Sequence, residues 1–134
     1  MNIRLADKTW DEASLKIVAD LVFAYDAQDH VYFTSGEGEV LDKLAVVAPK
    51  IPRCLAGREG LDIVDAAVKH GCKLVQLSGA YLDKATVDKA NANGLRCNVT
   101  SQNGPEEAAR LFGMGADTII TDNYLTIADA TGVK

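Results

Sequence analysis

Few side chains in this 134-residue sequence combine a reactive type with a useful spacing. His30 and His70 stand 40 positions apart, each near an expected helix end, where a capping or surface role explains them better than ligation. Cys54, Cys72 and Cys97 form no C-x-x-C pair, so neither a zinc knuckle nor a redox pair is expected. Cys97 falls inside an expected strand with no histidine nearby in sequence, which reads as a core thiol rather than a nucleophile. Ser35 and Ser78 close strands but lack the Gly-x-Ser-x-Gly elbow that exposes a nucleophilic hydroxyl. The sequence therefore predicts no catalytic residue and no metal ligand set.

What remains is a set of polar residues at or near the ends of expected strands: Arg4, Ser35, Asn98, Thr100, Ser101 and Asp122. These are ligand-binding candidates. Arg4 would contact an anion, unless it forms a salt bridge with Asp122 or Glu37. Asp122 alone is a poor metal site and suits a helix cap or a loop tie better. Asn98, Thr100 and Ser101 either line a small polar pocket or are solvated and bonded to one another. The stretches Gly57-Arg58-Glu59-Gly60 and Asn103-Gly104 open helices after strands, where backbone N–H groups can cradle a phosphate. No P-loop or dinucleotide fingerprint accompanies them.

The elements that must hold these residues alternate regularly. Short β-rich runs are expected at Asn2–Ala6, Val31–Ser35, Arg53–Gly57, Lys73–Ser78, Arg96–Thr100 and Thr118–Asp122. Short apolar runs with turn residues on both flanks suit parallel strands covered on both faces. Their recurrence at roughly 20 residues is a βαβ signature. Between them lie amphipathic segments. Thr9-Trp-Asp-Glu12 has capping-box spacing, followed by the stripe Leu15, Val18, Ala19 and Val22. Trp10 reads as a packing residue. Val40, Leu41, Leu44 and Val47 stripe a second helix ended by Pro49 or Pro52. Leu61, Val64, Ala67 and Val68 stripe a third, closed by Gly71. A fourth runs from Leu82 to Asn93 and stops near Gly94. A fifth opens at Asn103-Gly-Pro105, with proline at N1 and two glutamates at the positive helix end. Its stripe is Ala108, Leu111 and Phe112, and Gly113 or Gly115 ends it. A short sixth follows Tyr124. No linker divides the series, so one α/β domain is expected.

Composition excludes several partners. The net charge is −5 with interspersed signs, so no basic nucleic-acid footprint exists. No apolar run is long enough to span a bilayer, and Met-Asn-Ile-Arg-Leu lacks signal-peptide zones. With an odd cysteine count, these features predict a cytoplasmic protein with reduced, buried thiols.

Thr100-Ser-Gln-Asn-Gly-Pro105-Glu-Glu-Ala-Ala109 followed by Gly115-Ala-Asp-Thr-Ile-Ile-Thr-Asp122 resembles the C-terminal end of the glycerophosphodiester phosphodiesterase family. That family usually reads Trp-Thr-Val-Asn-Asp-Pro-Glu-Glu, then Gly-x-Asp-x-Ile-x-Thr-Asp. Asn2-Ile-Arg-Leu is similar to its third strand, Val31–Ser35 to its fourth, Pro52-Arg-Cys-Leu to its fifth and Lys73–Ser78 to its sixth. Leu95–Val99 and Ile119–Asp122 complete the set. The resemblance implies a parallel βα-repeat, a partial TIM barrel of about six of the eight units. It also implies metal-dependent hydrolysis of glycerophosphodiesters, with a divalent ion such as Mg²⁺ or Ca²⁺.

The departures from the pattern gather where chemistry belongs. The family's first two strands, with His-Arg-Gly, the Glu and Asp ligands and the catalytic His-Asp, have no counterpart, and neither His30 nor His70 matches them. The metal-binding Glu falls at Arg4 and its neighbouring Lys at Ala6. Other mouth residues fall at Gly36, Glu37, Thr100 and Gly104. The resemblance thus predicts a disabled barrel, silent by itself and needing no cofactor; the alternatives are a metal-dependent phosphodiesterase whose N-terminal part is supplied elsewhere, and a site rebuilt for a small phosphate ligand. A Met set directly before an internal strand suggests an engineered origin. Six strands also leave two open edges, so the expectation is a self-associating scaffold, or else relaxation to an open doubly wound sheet.

Overall fold

A computed structural model describes residues 1–57 and 62–132. Its elements run β1 (Asn2–Arg4), α1 (Glu12–Ala24), β2 (Tyr32–Ser35), α2 (Gly38–Val47), β3 (Arg53–Ala56), α3 (Ile63–Lys69), β4 (Leu74–Ser78), α4 (Lys84–Ala92), β5 (Arg96–Thr100), α5 (Pro105–Met114), β6 (Thr118–Ile119) and α6 (Tyr124–Thr131). A single 3₁₀ turn, Gly79–Tyr81, precedes α4.

The six strands are parallel and lie in sequential order, β1-β2-β3-β4-β5-β6. A doubly wound sheet needs a point where the order reverses, and this sheet has none. Right-handed crossovers that always step to the next strand place every helix on the same face. The result is a curled half-barrel with helices outside, six of the eight units of a closed (β/α)8 barrel. β1 and β6 are its open edges.

Helix boundaries follow local hydrogen-bond chemistry. α1 starts at Asp11, whose Oδ1 accepts from the Ser14 amide at 2.7 Å. The expected Thr9–Glu12 capping box does not form: the Thr9 amide is held by Asp7 Oδ1 at 2.8 Å, and Thr9 lies two residues before the N-cap. Asp83 caps α4 through the Thr86 amide at 2.7 Å, so that helix starts after Leu82. α2 ends at Val47, just before Pro49. α3 and α5 stop at the glycines Gly71 and Gly115, whose φ values of +61° and +112° few other residues tolerate. Gly113 stays within α5. The strands β1 and β6 are shorter than the expected Asn2–Ala6 and Thr118–Asp122, since an edge strand has one partner only.

The core lies between the convex face of the sheet and the helices. Phe33, Leu55, Val75 and Val99 project outward from β2 to β5 and meet Leu15, Leu41, Leu44, Val64, Val87 and Leu111. Trp10 packs against this cluster, as expected of a packing residue. Val68 is a correction: it is exposed, while Ile63 and Val64 carry the buried side of α3 with Ala67. Leu61 and the loop Arg58–Gly60 lie outside the described residues.

All three cysteines are free and buried. Burial pushes the Cys54 thiol up to about 12, and Cys72 and Cys97 up to about 11. Thiols raised above their ordinary value of 9.0 keep their contribution to stability below that value. The contribution is lost as pH rises from there towards the folded-state values. Stability should therefore fall between pH 9 and 11 in denaturant titrations, and a thiol-specific reagent at pH 8 should label the native protein only as fast as it unfolds. Rapid stoichiometric labelling of the native state would contradict this burial.

Candidate functional site at the mouth of the half-barrel

Alternation along the strands divides the sequence candidates between different places. In register, Arg4 sits beside Thr34, and Thr34 beside Cys54. Gln76 sits beside Asn98, and Asn98 beside Thr118. These positions face the concave side. Two hydrogen bonds cross it, each spanning three strands. Asn2 Nδ2 donates to Gln76 Oε1 at 3.1 Å, and Asn98 Nδ2 donates to Tyr32 Oη at 3.1 Å. Such contacts are possible only on the inside of a curled sheet. Asn98 is therefore a buried residue of the barrel interior, on the same face of β5 as Thr100 and two residues before it. Its Oδ1, Asn2 Oδ1 and Thr34 Oγ1 are buried with no hydrogen-bond partner among the described residues. Burial also pushes the Tyr32 phenol up from its ordinary value.

Ser35 is buried as well, and its Oγ accepts from the Glu37 amide at 3.1 Å. It shapes the β2–α2 turn rather than facing a ligand. Thr100 is half-buried and Ser101 exposed at the end of β5. Asp122 serves as a loop tie. Its Oδ2 accepts from Asn103 Nδ2 at 3.3 Å, its amide donates to Asn103 Oδ1 at 2.9 Å, and the cap of α6 is Asn123 instead.

Arg4 differs from the rest. It is exposed at the C-terminal end of β1, the end at which barrel active sites are built. The expected salt bridge to Asp122 or Glu37 does not form, and Arg4 has no ion pair among the described residues. It lines a cavity of about 380 Å³ with Ala6, Gly36, Glu37, Gly38, Gly57 and His70. The start of α2 opens onto this cavity, and Glu37, its N-cap, makes no side-chain capping bond. The positive end of the helix adds to the guanidinium there, while the Glu37 carboxylate opposes both.

His70 was not foreseen at this place. Its Nδ1 lies 2.8 Å from Asp42 Oδ1, joining the end of α3 to α2. Nothing in the sequence pairs residues 28 positions apart on two different helices. The only legible signal is Gly38, one helical turn before Asp42, since a side chain at Gly38 would overlap the imidazole.

A profile of the glycerophosphoryl diester phosphodiesterase family matches residues 2–126. The chain belongs to that family. Among solved structures, one described as a glycerophosphodiester phosphodiesterase from Galdieria sulphuraria is 20% identical with a TM-score of 0.87, over 98% of this chain and 56% of its own. A phosphodiesterase of Oleispira antarctica, in complex with its product sn-glycerol-3-phosphate, is 17% identical with a TM-score of 0.84, over 98% of this chain and 56% of its own. A glycerophosphoryl diester phosphodiesterase structure from Silicibacter pomeroyi is 19% identical with a TM-score of 0.83, over 90% of this chain and 43% of its own. The chain thus spans about half the length of these relatives. A search of curated proteins finds no match.

The described residues at the mouth do not fit a divalent metal. No group of three or more His, Cys, Asp or Glu side chains stands together among the described residues. The strand end that the family resemblance would give to a metal-binding carboxylate carries Arg4, whose charge repels a cation.

Proposed function

We propose that this glycerophosphoryl diester phosphodiesterase family chain binds a phosphate ester at the mouth of its half-barrel through Arg4 and does not cleave it unaided. The observation that carries this reading is an exposed guanidinium, free of any carboxylate partner among the described residues, on a cavity of suitable size. Arginine recognises phosphate through paired N–H donors. Glycerol 3-phosphate, the product held by the Oleispira relative, is the natural probe. Calorimetry should detect its binding, and Arg4→Ala should weaken it by about 1.5–3 kcal/mol, the worth of a charged hydrogen bond. Equal heats from both proteins would dismiss the proposal.

A second reading is favoured by the scaffold itself. The two open edges leave space for two further βα units. Hydrolysis of glycerophosphodiesters, the family's reaction, would then need those units from another polypeptide or segment to supply acid, base and metal carboxylates. In that arrangement this chain contributes the substrate-facing wall. A second copy is the simplest cover for the edges otherwise. Ile17, Leu21 and Tyr25 on or after α1, and Tyr124 and Leu125 on α6, are exposed apolar residues on the two terminal helices. Light scattering at tens of micromolar should show a mass above that of one 14.3 kDa chain. A monodisperse monomer would reject self-association.

A further inference from the structure

We propose that His70 is a second ligand-binding residue of the Arg4 cavity, donating from Nε2 to a phosphate oxygen when the ester is bound. This rests on the phosphate reading above and deepens it. The first ground is orientation. Nδ1 is fixed on Asp42 Oδ1 at 2.8 Å. An ionised carboxylate only accepts, so Nδ1 carries a proton in either charge state. Nε2 is then the atom that gains or loses the second proton, and it has no hydrogen-bond partner among the described residues. The second ground is space. Nε2 and Cε1 rest against Gly38, where any side chain would displace the ring. The third is place. His70 and Arg4 line one cavity, although they come from α3's end and from β1. The His70 side chain is only 18% exposed, whereas that of Asp42 is 58% exposed, so the ring is the shielded member and its partner faces water.

Charges reach the ring's surroundings from several described elements. Arg4 on β1 is positive, as is Arg53 on β3, whose Nη2 donates to the backbone carbonyls of His70 and Gly71; Glu37 before α2 and Asp42 on α2 are negative, and the start of α2 is a positive dipole end. A bound phosphate adds negative charge beside Arg4 and Nε2, and Nε2 donates to it when it carries its proton.

The test follows both imidazoles by long-range ¹H–¹⁵N NMR while glycerol 3-phosphate is added at constant pH. His30 is the internal reference. The Nε2 signal of His70 should move as the ligand saturates, and the signals of His30 should stay. His70→Gln should weaken binding about tenfold with an unchanged circular dichroism spectrum. Gly38→Ala, which keeps every charge, should weaken it too by displacing the ring. If Arg4-dependent heat is observed but the His70 Nε2 signal does not move, this inference is overturned and the phosphate reading stands. If the unaltered protein gives no heat, both fall.

Discussion

Phe33→Ala should lower stability by about 3–5 kcal/mol, the usual cost of emptying a fully buried aromatic site. Phe33 heads the largest side chains shielded completely from water. It projects from the second strand in register with Ile3 on one side and Arg53 on the other. Its neighbours are held by the sheet ladder and cannot collapse freely into the space. Domains of this size retain only about 5–15 kcal/mol in total, so the variant should be largely unfolded at physiological temperature. Chemical denaturation with a midpoint shift of less than about 1 kcal/mol equivalent would show that the convex-side core is not where the fold's stability resides.

Asn98→Ala should cost about 1–3 kcal/mol by breaking a buried bond and leaving a polar partner behind. The bond from Asn98 to the Tyr32 hydroxyl joins the fifth strand to the second across the concave face. Tyr32→Phe should cost a similar amount, because it leaves the Asn98 amide nitrogen unpaired. The double variant should then be less damaging than the sum, with a coupling of about 0.5–3 kcal/mol. An additive pair would mean that the two side chains do not meet and that the sheet is less curled than described. The polar interior matters here. Closed barrels of this class fill their centre with layers of branched apolar side chains, while this one carries Asn2, Thr34, Gln76 and Asn98. The Asn2–Gln76 and Asn98–Tyr32 bonds tie non-adjacent strands together across this side.

Much of the architecture was legible because it rests on local patterns. Arg96–Thr100 is a strand over the expected span, and Pro105 opens its helix where proline at N1 requires. The stripes at Leu15–Ala19–Val22 and Val40–Leu41–Leu44 are buried. Where the reading failed, the deciding interaction was a competition or a three-dimensional contact. Thr9 lost the helix start because Asp11 sits two residues closer to it, with the backbone extended. Val68 fell outside the buried side of a seven-residue helix once Ile63 and Val64 defined that side. The site was less legible still. Strand alternation sends Asn98 into the interior, and Ser35 is consumed by its own turn. Arg4 was identifiable from its strand end, but the histidine that shares its cavity depends on the packing of two helices. No spacing rule encodes that.

The central claim, an anion site in place of a metal site, is tested most directly by one titration. Glycerol 3-phosphate is added to the protein in a calorimeter, once with a chelator present and once with excess Mg²⁺. The account predicts the same Arg4-dependent binding in both. Binding that appears only when Mg²⁺ is supplied would contradict it.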